Sequence, residues 1–190
     1  MQKLFLFDFD GVIVDSLEVY ERRVKMCLEK IGMPVVQNRA DFLALFEDNF
    51  YEAIMKKGID VLEFMKASKA LPIQDDYEQM LPFAPMLPVL EELKKNNVLV
   101  IISSNVSEVI HAVLSRYRFN GCFRDVFGSD FGYSKKEKIL HAMTVFHIEK
   151  ARLAGVRTVA VTWGWHAREM FEKVKPDYLI ETPDDLLYLR

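Results

Sequence analysis

Cysteine is scarce in this chain. Cys27 and Cys122 are the only two in 190 residues, and they stand far apart with no metal-type spacing around them. That excludes a disulfide framework, and both read as reduced thiols of a cytosolic protein. Long apolar runs are missing as well: none reaches the roughly 20 residues that a membrane helix needs, and Asp8 and Asp10 interrupt what would otherwise be a signal-peptide core. There is no excess of positive charge. The net charge of −3 argues against nucleic acid as an obligatory partner. His111, His141 and His166 have no companion at metal spacing and read as structural or surface residues. Internal repeats, low-complexity tracts and flexible linkers are absent too.

What is present is a core-forming composition. Hydrophobic residues make up 51% and charged ones 28%, which suits a folded chain of this length, one domain with room for an inserted subdomain. The most informative stretch is Leu4-Phe5-Leu6-Phe7-Asp8-Phe9-Asp10-Gly11-Val12-Ile13-Val14-Asp15-Ser16. It opens as a buried strand and then carries two acids one residue apart. Side chains alternate along a strand, so Asp8 and Asp10 are expected on one side. Two carboxylates at a strand's carboxyl end repel each other and are costly to desolvate. A cation between them, or chemistry at one of them, would account for the pair. Open α/β sheets bind ligands at that end.

Periodicity organises the rest. Residues 15–31 read as a helix, with Leu17, Tyr20, Val24, Cys27, Leu28 and Ile31 three or four apart and Gly32 and Pro34 stopping it. Residues 40–80 show helical periods in short pieces and no convincing strand. Helix 86–96 precedes the apolar strand Val98–Ile102, which ends in Ser103-Ser104-Asn105 before a helix near 106–117. Strands are expected at 126–129, 158–162 and 177–180, with helix 135–149 between the first two. Strands alternating with helices indicate an α/β fold with a doubly wound parallel sheet, the strand 4–8 central and beside 98–102.

The segment Asp8-Phe9-Asp10-Gly11-Val12-Ile13-Val14-Asp15-Ser16 resembles the first motif of the haloacid dehalogenase-like hydrolases, the aspartate-nucleophile phosphatases and phosphomutases. The resemblance extends over nearly the whole chain and is nearest to the phosphoglycolate-phosphatase-like members. It implies a Rossmann-like catalytic core of residues 1–14 and 83–190, with an inserted all-helical cap of residues 15–82. It implies Asp8 as the nucleophile, Asp10 as the general acid and base, and Mg²⁺ held by Asp8 and Asp10. Ser103, with Ser104, Asn105 and Gly11, would hold the phosphoryl group, although Ser104 or Asn105 could equally cap the next helix. Lys135, or second Lys136, would be the cation of the third motif, although the run Ser134-Lys135-Lys136-Glu137-Lys138 alone reads as a solvated helix face. The implied partner is a small phosphorylated metabolite. A phosphomutase would use the same motifs.

The fourth family motif, a strand ending in Gly-Asp, is not found. From Lys135 to Gly155 there are too few residues for a helix, a strand and an acidic loop. If the tail Ile148–Val156 is aligned with what usually follows that loop, His147 and Met143 stand where acids are expected. Degeneration, deletion and an incompletely recorded chain all leave this pattern. Asp125, Asp130 and Glu149 are the acids available as substitutes, each read first as a turn residue or solvated charge. A family relative without catalysis, binding a phosphorylated ligand or a protein, is the rival expectation. Trp163-Gly164-Trp165-His166 resembles the loop after the last core strand, its aromatics bordering the site or packing.

Overall fold

The computed structural model describes residues 2–47, 49–71, 78–132, 134–145, 156–165 and 168–189. Contacts divide the chain into two compact units, Met1–Asp15 with Leu81–Arg190, and Ser16–Met80.

The first unit is α/β. Strand β1 (Leu4–Phe7) pairs in parallel with β4 (Val98–Ile102), and β4 pairs in parallel with β5 (Asp125–Phe127). A run of five apolar residues suits the middle of such a sheet, and β4 is buried from Leu99 to Ile102. Helix α7 (Lys135–Val145) lays Ala142 and Ile139 against Leu4, Leu6, Val98, Val100 and Ile102. These strand residues alternate in sequence and so share one sheet face. Helices α5 (Met86–Leu93) and α6 (Ser107–Arg116) bury stripes of three- and four-residue spacing: Met86, Val89, Leu90 and Leu93 on α5, and Val109, Ile110, Val113 and Leu114 on α6.

The centre of the sheet differs from expectation. It is β4; β1 is an edge among the described residues, and Leu4, Phe5 and Leu6 are only half-buried. The strand expected at 158–162 is β6 (Val159–Val161), and it pairs with β7 (Tyr178–Ile180) in a separate two-stranded parallel sheet. Helix α8 (Arg168–Val174) connects those two strands, and a 3₁₀ turn (Pro183–Tyr188) follows. A short antiparallel pair, β2 (Val14–Asp15) with β3 (Leu81–Pro82), was not legible, because two residues carry no period. The expected helix beyond Val145 lies outside the described residues.

The second unit is helical: α1 (Leu17–Lys30), α2 (Arg39–Ala44), α3 (Phe50–Lys56) and α4 (Val61–Lys69). Its short helices start at polar caps. Asn38, Asn49 and Asp60 each accept backbone N–H groups of the following turn. Glu21 of α1 takes ion pairs from Lys25 and from Arg39 of α2, and these bonds hold its carboxyl below the usual range. Phe42, Phe46, Phe50 and Phe64 form a chain of ring contacts about 5 Å apart between centroids. No helix among the described residues is long and apolar enough to cross a membrane.

Candidate active site

Register brings the first two motifs together. Phe7 pairs with Ile101, so the chain leaves β1 at Asp8 and leaves β4 at Ser103 along the same edge of the sheet. Adjacent strands lie about 5 Å apart, so these exits are neighbours. Strand β1 ends at Phe7, one residue before Asp8, so the strand period stops short of both acids. A turn places Asp10 instead. The carbonyl of the fully buried Phe9 accepts the N–H groups of Val12, Ile13 and Val14, at 3.3, 2.9 and 3.3 Å.

Asp8 is held at both oxygens. Oδ1 accepts the Phe9 N–H at 2.9 Å, and Oδ2 forms a close ion pair with the Lys135 ammonium, which α7 presents from its first turn. Both side chains keep more than a third of their surface open to solvent. The expected cation and nucleophile positions therefore meet. Lys136 is exposed, and no contact of it with Asp8 is seen.

The Ser103–Asn105 turn is buried and tightly bonded. Ser103 N–H donates to Phe127 O at 3.0 Å, and Asn105 N–H donates to Ser103 Oγ at 3.0 Å. Asn105 Oδ1 accepts the Val106 N–H, and Asn105 O accepts the Ser129 N–H. Asn105 Nδ2 is buried without a hydrogen-bond partner. Ser104 is half-buried. Neither Ser104 nor Asn105 caps α6. Its first N–H, from Ser107, goes to Asp130 Oδ1 at 2.8 Å.

Gly11 shapes the turn that carries Asp10. Its N–H goes to Val14 O at 2.9 Å. Its φ of +73° is one that side chains rarely adopt, and a Cβ there would lie 2.8 Å from the Trp165 ring. Gly164 is needed for close approach: a Cβ on it would fall 2.4 Å from Gly11 O. Trp163 Nε1 donates to Val12 O at 3.1 Å. The two tryptophans thus pack on the turn that carries Asp10; His166 lies outside the described residues.

The substitute acids do not gather. Asp125 starts β5 opposite Val100 and accepts its neighbour's Val126 N–H, while Asp130 caps α6. Burial opposes ionisation of Asp130, but the Ser107 amide and hydroxyl prevail and hold its carboxyl below the usual range. Glu149 lies outside the described residues. No group of three His, Cys, Asp or Glu able to hold a metal occurs among the described residues. Asp8 and Asp10 are hard oxygen donors and fit a Mg²⁺ that keeps several waters, not an ion caged by protein.

One residue of this region was missed. Lys138 has no exposed surface, and its ammonium donates to Ser103 O at 2.5 Å. Burial first, and Lys135 second, lower its pKa from 10.5 to about 8, while Asp130 and Asp8 act the other way. The signal was its spacing: Lys138 precedes Ala142 by one helical turn, on the inner face of α7.

A family model described as haloacid dehalogenase-like hydrolase matches residues 5–161. The chain belongs to the haloacid dehalogenase-like hydrolases. Among curated members of this family, the phosphoglycolate phosphatase of Synechococcus elongatus is 27% identical over 202 aligned positions, covering 96% of this chain and 94% of the relative. That of Aliivibrio fischeri is 24% identical, covering 98% and 94%. Since 96% of 190 residues is about 182, about 20 of the 202 aligned positions have no counterpart in this hydrolase-family chain. Solved structures share the fold. A predicted phosphatase from Clostridium acetobutylicum superposes with a TM-score of 0.82 at 19% identity, covering 99% of each chain. A haloacid dehalogenase-like family protein from Streptococcus pneumoniae superposes with 0.77 at 17%, covering 99% of this chain and 97% of that one.

Proposed function

We propose that this chain is a phosphatase of small phosphorylated metabolites that works through a phosphoaspartate. The observation that carries the reading is the Lys135 ammonium set on the Asp8 carboxylate, one strand away from the donor-lined turn at Ser103. Asp8 attacks phosphorus and the P–O bond to the substrate breaks. Asp10 gives its proton to the departing oxygen. Asp10 then takes a proton from water, which attacks the phosphoaspartate and frees Asp8 and inorganic phosphate. Lys135 offsets the charge on Asp8 and on the transferring group. The Ser103 hydroxyl, whose oxygen already accepts from Asn105, keeps its hydrogen for a phosphoryl oxygen. Asn105 Nδ2 is a second donor in want of an acceptor. Mg²⁺ bound by Asp8 and Asp10 would offset the repulsion between these carboxylates and a phosphate dianion. Residues 15–82 are assigned the substrate-selecting role of a cap.

The names of the relatives make 2-phosphoglycolate the first substrate to try, with p-nitrophenyl phosphate as a general probe. Steady-state hydrolysis of both, with and without Mg²⁺, tests the proposal. Turnover that Asp8→Asn leaves unchanged would overturn it. One observation favours a second reading, a relative that binds phosphorylated ligands without turnover: no third acid joins Asp8 and Asp10 among the described residues. Phosphate binding with no hydrolysis at any Mg²⁺ concentration would select that reading.

A further inference from the structure

Lys138 is the one charged side chain fully buried among the described residues. Removing an ammonium from water costs several kcal/mol unless partners replace the water. Its hydrogen-bond partner here is the Ser103 carbonyl. That carbonyl belongs to the last residue of the β4–β5 ladder, where Ser103 N–H still bonds Phe127 O before the chain turns away. A strand-end carbonyl buried without a ladder partner must find a donor elsewhere. Lys138 reaches it from the second turn of the helix whose first turn carries Lys135 to Asp8. One helix thus fixes both expected halves of the site.

We propose that Lys138 is a positioning residue for phosphoryl binding, fastening the Ser103–Asn105 turn through the Ser103 carbonyl. The proposal rests on the phosphatase reading given above. It does not need Lys138 to touch the substrate. The turn's backbone is tied to neighbouring elements by Phe127 O, by the Ser129 N–H and by the Lys138 ammonium, which reaches it from α7. Its loose donors, Asn105 Nδ2 and the Ser103 hydroxyl, are useful to an anion only if the turn is held still.

The test uses the full chain with Lys138→Met and Lys138→Gln, and Lys135→Met for comparison. Inorganic phosphate affinity is measured by calorimetry, KM and kcat on p-nitrophenyl phosphate, and amide exchange at Asn105 and Ser129. Lys138→Met is expected to raise KM and the phosphate Kd about tenfold, the worth of one hydrogen bond from a charged donor, with a smaller change in kcat. Lys135→Met should act mainly on kcat. Gln keeps a donor for Ser103 O and should recover most of the affinity. A folded Met variant with wild-type affinity overturns the proposal, as does a Gln variant no better than a folded Met variant. If Met does not fold, Gln decides: near wild-type affinity supports the proposal, and a tenfold loss overturns it. If the wild-type chain neither binds phosphate nor turns over substrate, the phosphatase reading fails. Amide exchange then decides alone: faster exchange at Asn105 and Ser129 in the Met variant, with Gln near the wild type, supports the fastening role, and unchanged exchange in a folded Met variant, or fast exchange in Gln, refutes it.

Discussion

The two flanks of β1 are built differently. On one side β4 pairs with it over four residues and is buried, and beyond β4 the Ser103 turn, Asn105, Lys138 and Asp130 form a bonded network with α6 and α7. On the other side no strand pairs with β1 among the described residues, and β6 with β7 makes a sheet of its own. On the proposed function the first flank holds the phosphoryl group. On the same reading the second would supply a further metal ligand, and among the described residues no group of three possible ligands gathers. That reading makes binding and metal assistance separable, and experiments can break or sharpen the separation.

The largest effect belongs to Asp8, which both flanks share. Asp8→Asn is expected to abolish hydrolysis while the melting temperature stays near that of the wild type. Asp10→Asn should cost roughly 10²–10⁴ in rate, the usual worth of general acid–base catalysis. Wild-type turnover in either variant would remove the chemistry from β1 altogether.

Next comes the flank on which β1 has no strand partner among the described residues. Hydrolysis by the 190-residue chain is expected to need millimolar Mg²⁺ or to be absent, and inserting a Gly-Asp-bearing strand between Ile148 and Glu149 should restore it. Strong turnover at micromolar Mg²⁺ would show that another acid has taken the lost ligand's place, and the contrast between the flanks would lose its functional meaning.

Stability should show the same contrast. Ile101→Ala in the buried β4 is expected to cost about 2–5 kcal/mol. Leu4→Ala on the half-buried β1 should cost about half as much, since less apolar surface leaves water there. Equal losses in urea unfolding would mean that β1 is covered as fully as β4.

The legible parts of this molecule were those with a period or a strong motif. The apolar run 98–102, the spacing in 17–30 and the Asp8–Ser16 segment located β4, α1 and the turn carrying the acids. The pairing of Asp8 with Lys135 followed from the resemblance, and the structure brings those two together. Strand order was legible in part: 4–8 lies beside 98–102 as expected, but not at the centre. An apolar strand such as Leu4–Phe7 reads the same at a centre or an edge, and only the partner of Val159–Val161 decides which it is. Lys138 was hidden because a run of lysines reads as solvated. A helix turns about 100° per residue, so Lys136 lies about 160° around α7 from Lys138 and need not share its environment. The contribution of Trp163-Gly164-Trp165 was half legible. Gly164 makes room for the Gly11 carbonyl, a contact between residues 153 positions apart that no local signal announces.

The last expected effect is a pH dependence belonging to the flank beside β4. Burial and Lys135 hold the folded-state pKa of Lys138 at about 8, against 10.5 ordinarily, despite the opposing pull of Asp130 and Asp8. Below pH 8 both folded and unfolded chains carry its proton, and the cost of burying the charge is fully present. Between about 8 and 10.5 the folded chain gives the proton up while the unfolded chain keeps it. Stability then rises with pH, because the unfolded state binds more protons. Lys138→Met has no such group. The stability of the wild type relative to this variant should therefore improve by roughly 2–3 kcal/mol between pH 7.5 and 10.5, since each tenfold difference in proton affinity between the two states is worth about 1.4 kcal/mol. Taking the difference between the two chains cancels the titration of tyrosines and of the other lysines. Urea unfolding at pH 7.5, 9 and 10.5 would measure it. A flat difference would mean that Lys138 reaches water in solution, and that the flank beside β4 is looser than its hydrogen bonds imply.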